Sequence, residues 1–124
     1  MIQYQEDDVE RKLISIVVPC YNEEETLHIL YEELNKVTSA MEGYTFEYVF
    51  VNDGSKDRTI LMIKELAEQD SRVKYVSFSR NFGKEAALLA GLESAKGDIV
   101  ATMDAEMQDP PSLLPELVGY VESG

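Results

Sequence analysis

"LISIVVPC", residues 13–20, is an apolar run rich in β-branched side chains, interrupted only by Ser15 and closed by Pro19 and Cys20. It does not alternate between apolar and polar residues. A strand with one wet face would alternate; a continuous run marks a strand covered on both faces, as in a parallel sheet. Parallel neighbours need a long crossover, usually a helix. The rest of the chain meets that demand. "NEEETLHILYEELNKVTSAM" (22–41) sets Leu27, Leu30, Tyr31, Leu34 and Val37 at helical spacing. Asn22, with Glu25 three residues later, predicts a capping box at its start. "FEYVFVND" (46–53) reads as a second strand and "GSKD" as a turn. "RTILMIKELAEQ" (58–69) is a second helix with Asp57 as its N-cap. "VKYVSFS" (73–79) is a third strand, and "KEAALLAGLESA" (84–95) a third helix stopped by Gly97. "DIVATMD" (98–104) is a fourth strand, and "PSLLPELVGYVES" (111–123) a further helix with Pro111 in its first turn. The alternation predicts an α/β fold: a doubly wound, mainly parallel sheet with helices on both faces.

The 124 residues suit one domain, and 44% hydrophobic content supports a single core without staples. The first dozen residues, "MIQYQEDDVERK", form a polar, acidic segment, and the folded part is expected from residue 13 to 124. No signal peptide is visible in that start. The chain breaks off at "VESG", straight after a helix with nothing to pack against it, which reads as a truncated domain. The net charge of −13 excludes sequence-independent nucleic-acid binding and direct adsorption to an anionic membrane. One cysteine, Cys20, builds neither a disulfide framework nor a thiolate metal site, and implies a reducing compartment. Cys20 reads as a small packed residue at a strand end. The single histidine, His28, falls in the first helical pattern.

In doubly wound sheets ligands bind beyond the carboxyl ends of the strands. Four polar clusters fall there: Tyr21–Glu23, Asn52–Ser55, Arg80–Lys84 and Asp104–Asp109. In the last, Asp104, Glu106 and Gln108 lie at i, i+2 and i+4. An extended segment would point them to one side, as a hard cation such as Mg²⁺ or Mn²⁺ requires. A solvated acidic turn fits the same residues. Asp53 is placed to accept hydrogen bonds from ribose hydroxyls or a base edge, or to close an Asx turn. Arg80 and Lys84 beside a helix start suggest an anion site, or a surface pair with Glu85 or Asp53. The first strand is followed by no G-x-G-x-x-G. "FGKE" lacks the upstream glycine of a P-loop, and no G-x-S-x-G elbow occurs.

Together, "SIVVPCYNEEETL", "FVNDGSKDRT", "SRNFGKEAALLAGLESAKGD" and "ATMDAEMQDPP" resemble the nucleotide-binding half of family 2 glycosyltransferases with the GT-A fold. The resemblance runs from Leu13 to Leu117 and is nearest to the polyprenyl-phosphate branch, which includes dolichol-phosphate mannose synthase. It implies that Pro19, Tyr21, Glu23 and Asp53 line the nucleoside pocket and that Lys84 approaches the donor. It implies that Asp104 and Glu106 are the acids of the metal-binding D-x-D motif, acting in catalysis through Mg²⁺ or Mn²⁺, with Gln108 a further metal or phosphate contact. Glu106 departs from the pattern, standing where the family usually has Asp. The resemblance further implies inverting transfer from a nucleotide-diphosphate sugar, by preference a UDP-hexose and alternatively GDP-mannose, to a polyprenyl-phosphate lipid. The acceptor half and any membrane helices lie outside this chain. The parent protein is then expected at the cytoplasmic side of a membrane in envelope-glycan synthesis, with oligomers possible. A receiver-like regulatory domain, with Asp53 as the phosphorylated residue, is the rival from another class. A sugar-activating nucleotidyltransferase would want a glycine-rich basic loop where "PCYNEEE" stands.

Overall fold

Strand β1 (Lys12–Cys20) lies second from one edge of a four-stranded parallel sheet, in a computed structural model that describes residues 11–123. Its sequence neighbours follow as α1 (Leu27–Ser39), β2 (Tyr44–Asn52), α2 (Thr59–Gln69), β3 (Val73–Ser77), α3 (Lys84–Ser94), β4 (Ile99–Thr102), a 3-10 turn (Pro111–Leu113) and α4 (Leu114–Ser123). The sheet order is β3-β2-β1-β4. Ile16 pairs with Tyr48 on one side and with Ala101 on the other.

That order decides which face each helix takes. The chain steps in one direction from β1 to β2 to β3, then crosses back over β1 to β4. Right-handed crossovers put helices on opposite faces when the direction of travel reverses. Accordingly Leu27, Leu30 and Leu34 of α1, Met62, Ile63 and Leu66 of α2, and Leu114 and Val118 of α4 share one core with Ile14, Ile16, Val18, Tyr48 and Phe50. Helix α3 alone covers the other face, where Ala87 packs on Val17, Val49 and Val51. The unbroken run of β1 therefore has the cause its sequence suggested: alternate residues enter different cores, and both are dry.

Helix α3 sits close to the sheet because of Gly91. A Cβ there would come within 2.3 Å of Val17 Cγ1. One polar group on each face of the sheet, buried Glu47 and half-buried Arg72, is well partnered. Glu47, on the α3 face of β2, accepts from Ser15 Oγ, from the Lys96 amide and from Lys74 Nζ. Burial alone would raise its carboxyl, but Lys74, Lys96 and Ser15 outweigh that and hold it below its usual range. On the opposite face Arg72 lies over the Tyr48 ring and donates to Asp70 and Asn35.

Several boundaries differ from the sequence reading. Helix α1 begins at Leu27, and the capping box does not form. Asn22 instead adopts φ 53° and its carboxamide oxygen accepts from the Lys56 amide, while Glu25 is exposed. The cross-loop bond displaced the local cap. Strand β2 starts earlier, at Tyr44, because pairing with β1 extends to Lys12. Strands β3 and β4 are shorter than expected, at Val73–Ser77 and Ile99–Thr102. A 3-10 turn takes up Pro111–Leu113 before α4. Of the acidic segment 1–12 only Arg11 and Lys12 are described, and Lys12 opens β1; residues 1–10 lie outside the described residues.

Candidate functional site

The reversal of strand order falls between β1 and β4, and a cleft of about 260 Å³ opens at the carboxyl ends of the strands there. Pro19, Tyr21 and Glu23 after β1 form one wall. Asp104, Glu106 and Gln108 after β4 form another, with Asp53 after β2 and Lys84 at the start of α3 completing it. All eight residues picked from the sequence thus face one space. Cys20, read there only as a packed residue, also lines it.

The β1–α1 and β2–α2 loops are tied across 33 to 36 positions of sequence. The Asn22 amide donates to Ser55 Oγ at 2.9 Å and the Glu23 amide to Thr59 Oγ1 at 2.8 Å. The Glu24 amide donates to Asp57, and the Arg58 amide returns a bond to Glu24. Asp57 also accepts from the Thr59 amide at 2.9 Å, but the N-cap of α2 is Arg58, so Asp57 stands one residue before the expected cap and satisfies the first helical amide instead. These loops belong to strand ends whose own ladder bonds have run out. Side-chain oxygens take over the orphan amides.

The β2–α2 loop is tied in turn to the segment before α3. Asp53 is buried, and its carboxylate accepts from the Phe82 amide at 2.7 Å, the Gly83 amide at 3.1 Å and Asn81 Nδ2 at 3.1 Å. Its carboxylate is already engaged by two backbone amides and one side-chain amide, unlike the free acceptor that the receiver-like reading needs. Lys84 reaches the cleft, whereas Arg80 lies over the Phe82 ring at 4.6 Å and is not among the lining residues. The expected cationic pair therefore reduces to one lysine, and neither residue forms an ion pair with Glu85 or Asp53 among the described residues.

The acidic segment after β4 is not extended. The Met107 amide donates to the Asp104 carbonyl at 2.9 Å, Met107 takes φ 58°, and the Glu106 amide donates to Asp104 Oδ1 at 2.8 Å. It is an Asx-assisted turn, anchored by buried Met103, Ala105 and Pro111. The three residues reach one cleft because the chain turns, not because alternate residues of a strand share a side. Among the described residues no three His, Cys, Asp or Glu side chains make a ready metal cluster. Two acids and an amide on one wall fit a hard divalent cation that takes its remaining oxygens from a ligand. The electrostatics agree. Glu23 is pushed up first by burial, partly offset by the Thr26 hydroxyl, and then by the charges of Glu106, Asp104 and Asp57. Among the described residues Lys84 is the only cation in the lining. The cleft carries unbalanced negative charge.

Cys20 is not set up as a nucleophile. Burial, with Glu23 and Asp104 adding to it, lifts its thiol far above the ordinary range, and Sγ points to the Val18 carbonyl. His28 is exposed on α1 and is not among the lining residues.

The chain is a doubly wound α/β domain with an acidic cleft at the switch point of its sheet. The glycosyl transferase family 2 profile matches residues 15–124, and the chain belongs to that family. CsbB of Bacillus subtilis (strain 168), named as a glycosyltransferase, is 50% identical over 112 residues, covering 90% of this chain and 34% of the relative. The bactoprenol glucosyl transferase of Shigella phage SfV is 45% identical over 111 residues, covering 90% and 36%. The chain thus spans about a third of the length of the curated relatives it matches. Among solved structures, a mannosyltransferase from Pyrobaculum calidifontis in complex with GDP-Man and Mn²⁺ superposes with a TM-score of 0.75 at 24% identity, covering 90% of this chain and 33% of that one. Glucosyl-3-phosphoglycerate synthase from Mycobacterium tuberculosis, in complex with UDP, superposes at 0.70 with 26% identity, covering 100% and 46%.

Proposed function

We propose that this chain is the donor-binding part of an inverting glycosyltransferase that moves a sugar, by preference a hexose from its UDP derivative, onto a polyprenyl-phosphate lipid. The observation that carries the reading is the convergence of eight residues from four separate strand ends on one acidic cleft. Pro19 and Tyr21 offer an apolar wall for a nucleoside, with Glu23 placed to accept from its sugar hydroxyls. Lys84 meets the anionic end of the donor.

Asp104, Glu106 and Gln108 would hold a divalent cation, Mg²⁺ or Mn²⁺. Bound there, it would neutralise the diphosphate leaving group. The protein residues do the rest of the work on this side of the reaction. The acidic turn fixes the carboxylates, and Lys84 adds positive charge where the leaving group gains negative charge. A lipid-phosphate acceptor is already anionic near neutral pH, so inversion by direct displacement depends more on positioning than on a strong base. The acceptor site and any membrane helices belong to a longer parent, which we place at the cytoplasmic side of a membrane in envelope-glycan synthesis. No described helix of this chain is long and apolar enough to cross one.

Ligand-observed NMR with UDP and with GDP, each with and without Mn²⁺, tests the reading. The expected result is metal-dependent binding of UDP. Binding of GDP alone would move the donor to GDP-mannose, metal-independent binding would remove the cation from Asp104 and Glu106, and binding of neither would overturn the reading. These 124 residues alone are expected to transfer no sugar to a polyprenyl phosphate, checked with radiolabelled donor.

A further inference from the structure

Strand β4 is four residues long and, among the described residues, pairs with β1 alone, from Ile14–Ile99 to Val17–Thr102. So short a ladder leaves its register weakly specified. Its apolar pattern supplies part of the answer, since Ile99, Ala101 and Met103 belong to the larger core. Val100, beside Ile99, is just as apolar yet lies exposed, so bulk alone does not choose which of these neighbours turns inward. The rest comes from a polar clamp where α3 runs into the strand. Buried Ser15 accepts from the Gly97 amide at 2.8 Å and donates its hydroxyl to Glu47. Glu47 also accepts from the Lys96 amide at 2.7 Å and from Lys74 Nζ at 2.8 Å. A Cβ on Gly97 would lie 2.5 Å from Ser15 Oγ, so only glycine lets the junction settle on Ser15. One residue on, Asp98 is bonded to Leu13 twice. Its amide donates to the Leu13 carbonyl at 2.7 Å, and its carboxylate accepts from the Leu13 amide at 2.9 Å. Residues 96–98 are thus tied to β1 and β2 by bonds that a shift of one residue would break.

We propose that Ser15 and Asp98 are positioning residues: Ser15, held by Glu47, and Asp98 clamp the α3–β4 junction and fix the register of β4, which brings Asp104, Glu106 and Gln108 to the cleft. The strand runs from the clamp to Met103, whose amide donates to the Val17 carbonyl at 2.9 Å, and the acidic turn starts at the next residue. A shift of one residue would carry Met103 or Ala105 to the place of Asp104 and reverse the side each neighbour faces. The consequence for a cation rests on the function proposed above; the clamp itself does not. Removing the Ser15 hydroxyl leaves a buried carboxylate short of one donor and the Gly97 amide without its acceptor. Removing the Asp98 carboxylate frees only the Leu13 amide and is the milder change.

The test uses the 124-residue protein and two readouts. Amide hydrogen exchange at Met103, the far end of β4, reports the clamp. Tyr48, whose amide donates to the Arg72 carbonyl on the other side of the sheet, is the reference. Met103 should exchange about tenfold faster in Ser15→Ala and about threefold or more faster in Asp98→Ala, with Tyr48 unchanged in both. Asp98→Asn keeps an oxygen for the Leu13 amide and should exchange as the wild type does. Unchanged Met103 exchange in Asp98→Ala would overturn the proposal. Equal acceleration at Met103 and Tyr48 would mean general loosening, and overturns it too. Asp98 is exposed, so its variants decide the matter if Ser15→Ala does not fold. Titrations with UDP and with GDP, with and without Mn²⁺, report the consequence. Asp98→Ala should lose about threefold or more of the metal-dependent gain in affinity while metal-free affinity stays, and Asp98→Asn should recover it. A full metal-dependent gain in a variant whose Met103 exchanges faster would overturn the proposal. A wild type that binds neither nucleotide, or binds without need of Mn²⁺, refutes the donor or the cation reading, and exchange alone then decides the clamp.

Discussion

Asp104 has two tasks within one carboxylate. Its Oδ1 closes the turn by accepting the Glu106 amide, which leaves Oδ2 for a ligand. The two tasks separate by mutation. Asp104→Asn keeps an oxygen for the turn but removes the charge, so the fold should persist while the Mn²⁺-dependent gain in nucleotide affinity falls about tenfold or more, read by titration with and without metal. The sequence exposed this residue plainly, since an acid at the end of an apolar run has little structural reason to be there. It did not expose how Asp104, Glu106 and Gln108 converge. Met107 at φ 58° sets that turn, and neither methionine nor the i, i+2, i+4 spacing announces it. Asn22 and Ser55 fall in the strand-end clusters read from the sequence, but their bonds across the loops, and the part of Thr59, went unrecognised. Their partners are more than thirty positions away, and the only signal was the density of short polar side chains after β1 and β2.

At the scale of elements, α3 shows how packing replaces amphipathicity. Its sequence, alanine- and leucine-rich on every side, gives no clear inward face. Gly91 supplies one by letting the helix touch Val17. Gly91→Ala should therefore destabilise, by about 1–3 kcal/mol from overpacking despite the better helix propensity of alanine, measured by urea unfolding. The junction of α2 with the β1–α1 loop depends on Asp57. Asp57→Ala removes the acceptor of the Glu24 and Thr59 amides, and should cost about 1–3 kcal/mol in the same assay and loosen the loop that carries Glu23. The link between α1 and the α2–β3 loop predicts a pH effect. Arg72, with help from Tyr31, holds the Asp70 carboxyl below its ordinary value of 3.8. A depressed carboxyl contributes stability above that ordinary value, and the contribution is lost as pH falls through and below it. The urea midpoint should therefore drop on acidification from about pH 5 to about pH 2. Asp70→Asn should be less stable at pH 7 by about 1–3 kcal/mol and show a smaller acid loss.

For the whole molecule, 24 acidic residues face 11 basic ones. The resulting self-repulsion should be relieved by screening, so the Tm should rise as NaCl goes from about 10 mM to about 200 mM, read by scanning calorimetry. The sequence by itself determined the class of fold. Apolar runs without alternation demand parallel strands covered on both faces, and helical spacing between them supplies the crossovers. It also marked the residues that the fold gathers on one cleft, because strand-end acids, the lysine and the tyrosine stand out against their apolar neighbours. Only the tertiary structure decided which strand ends are neighbours, that Lys84 and not Arg80 enters the cleft, and that Asp53 turns toward the chain. Those outcomes hang on hydrogen bonds and close contacts between residues far apart in sequence. Local spacing carries no information about such pairs until the strand order brings their loops together.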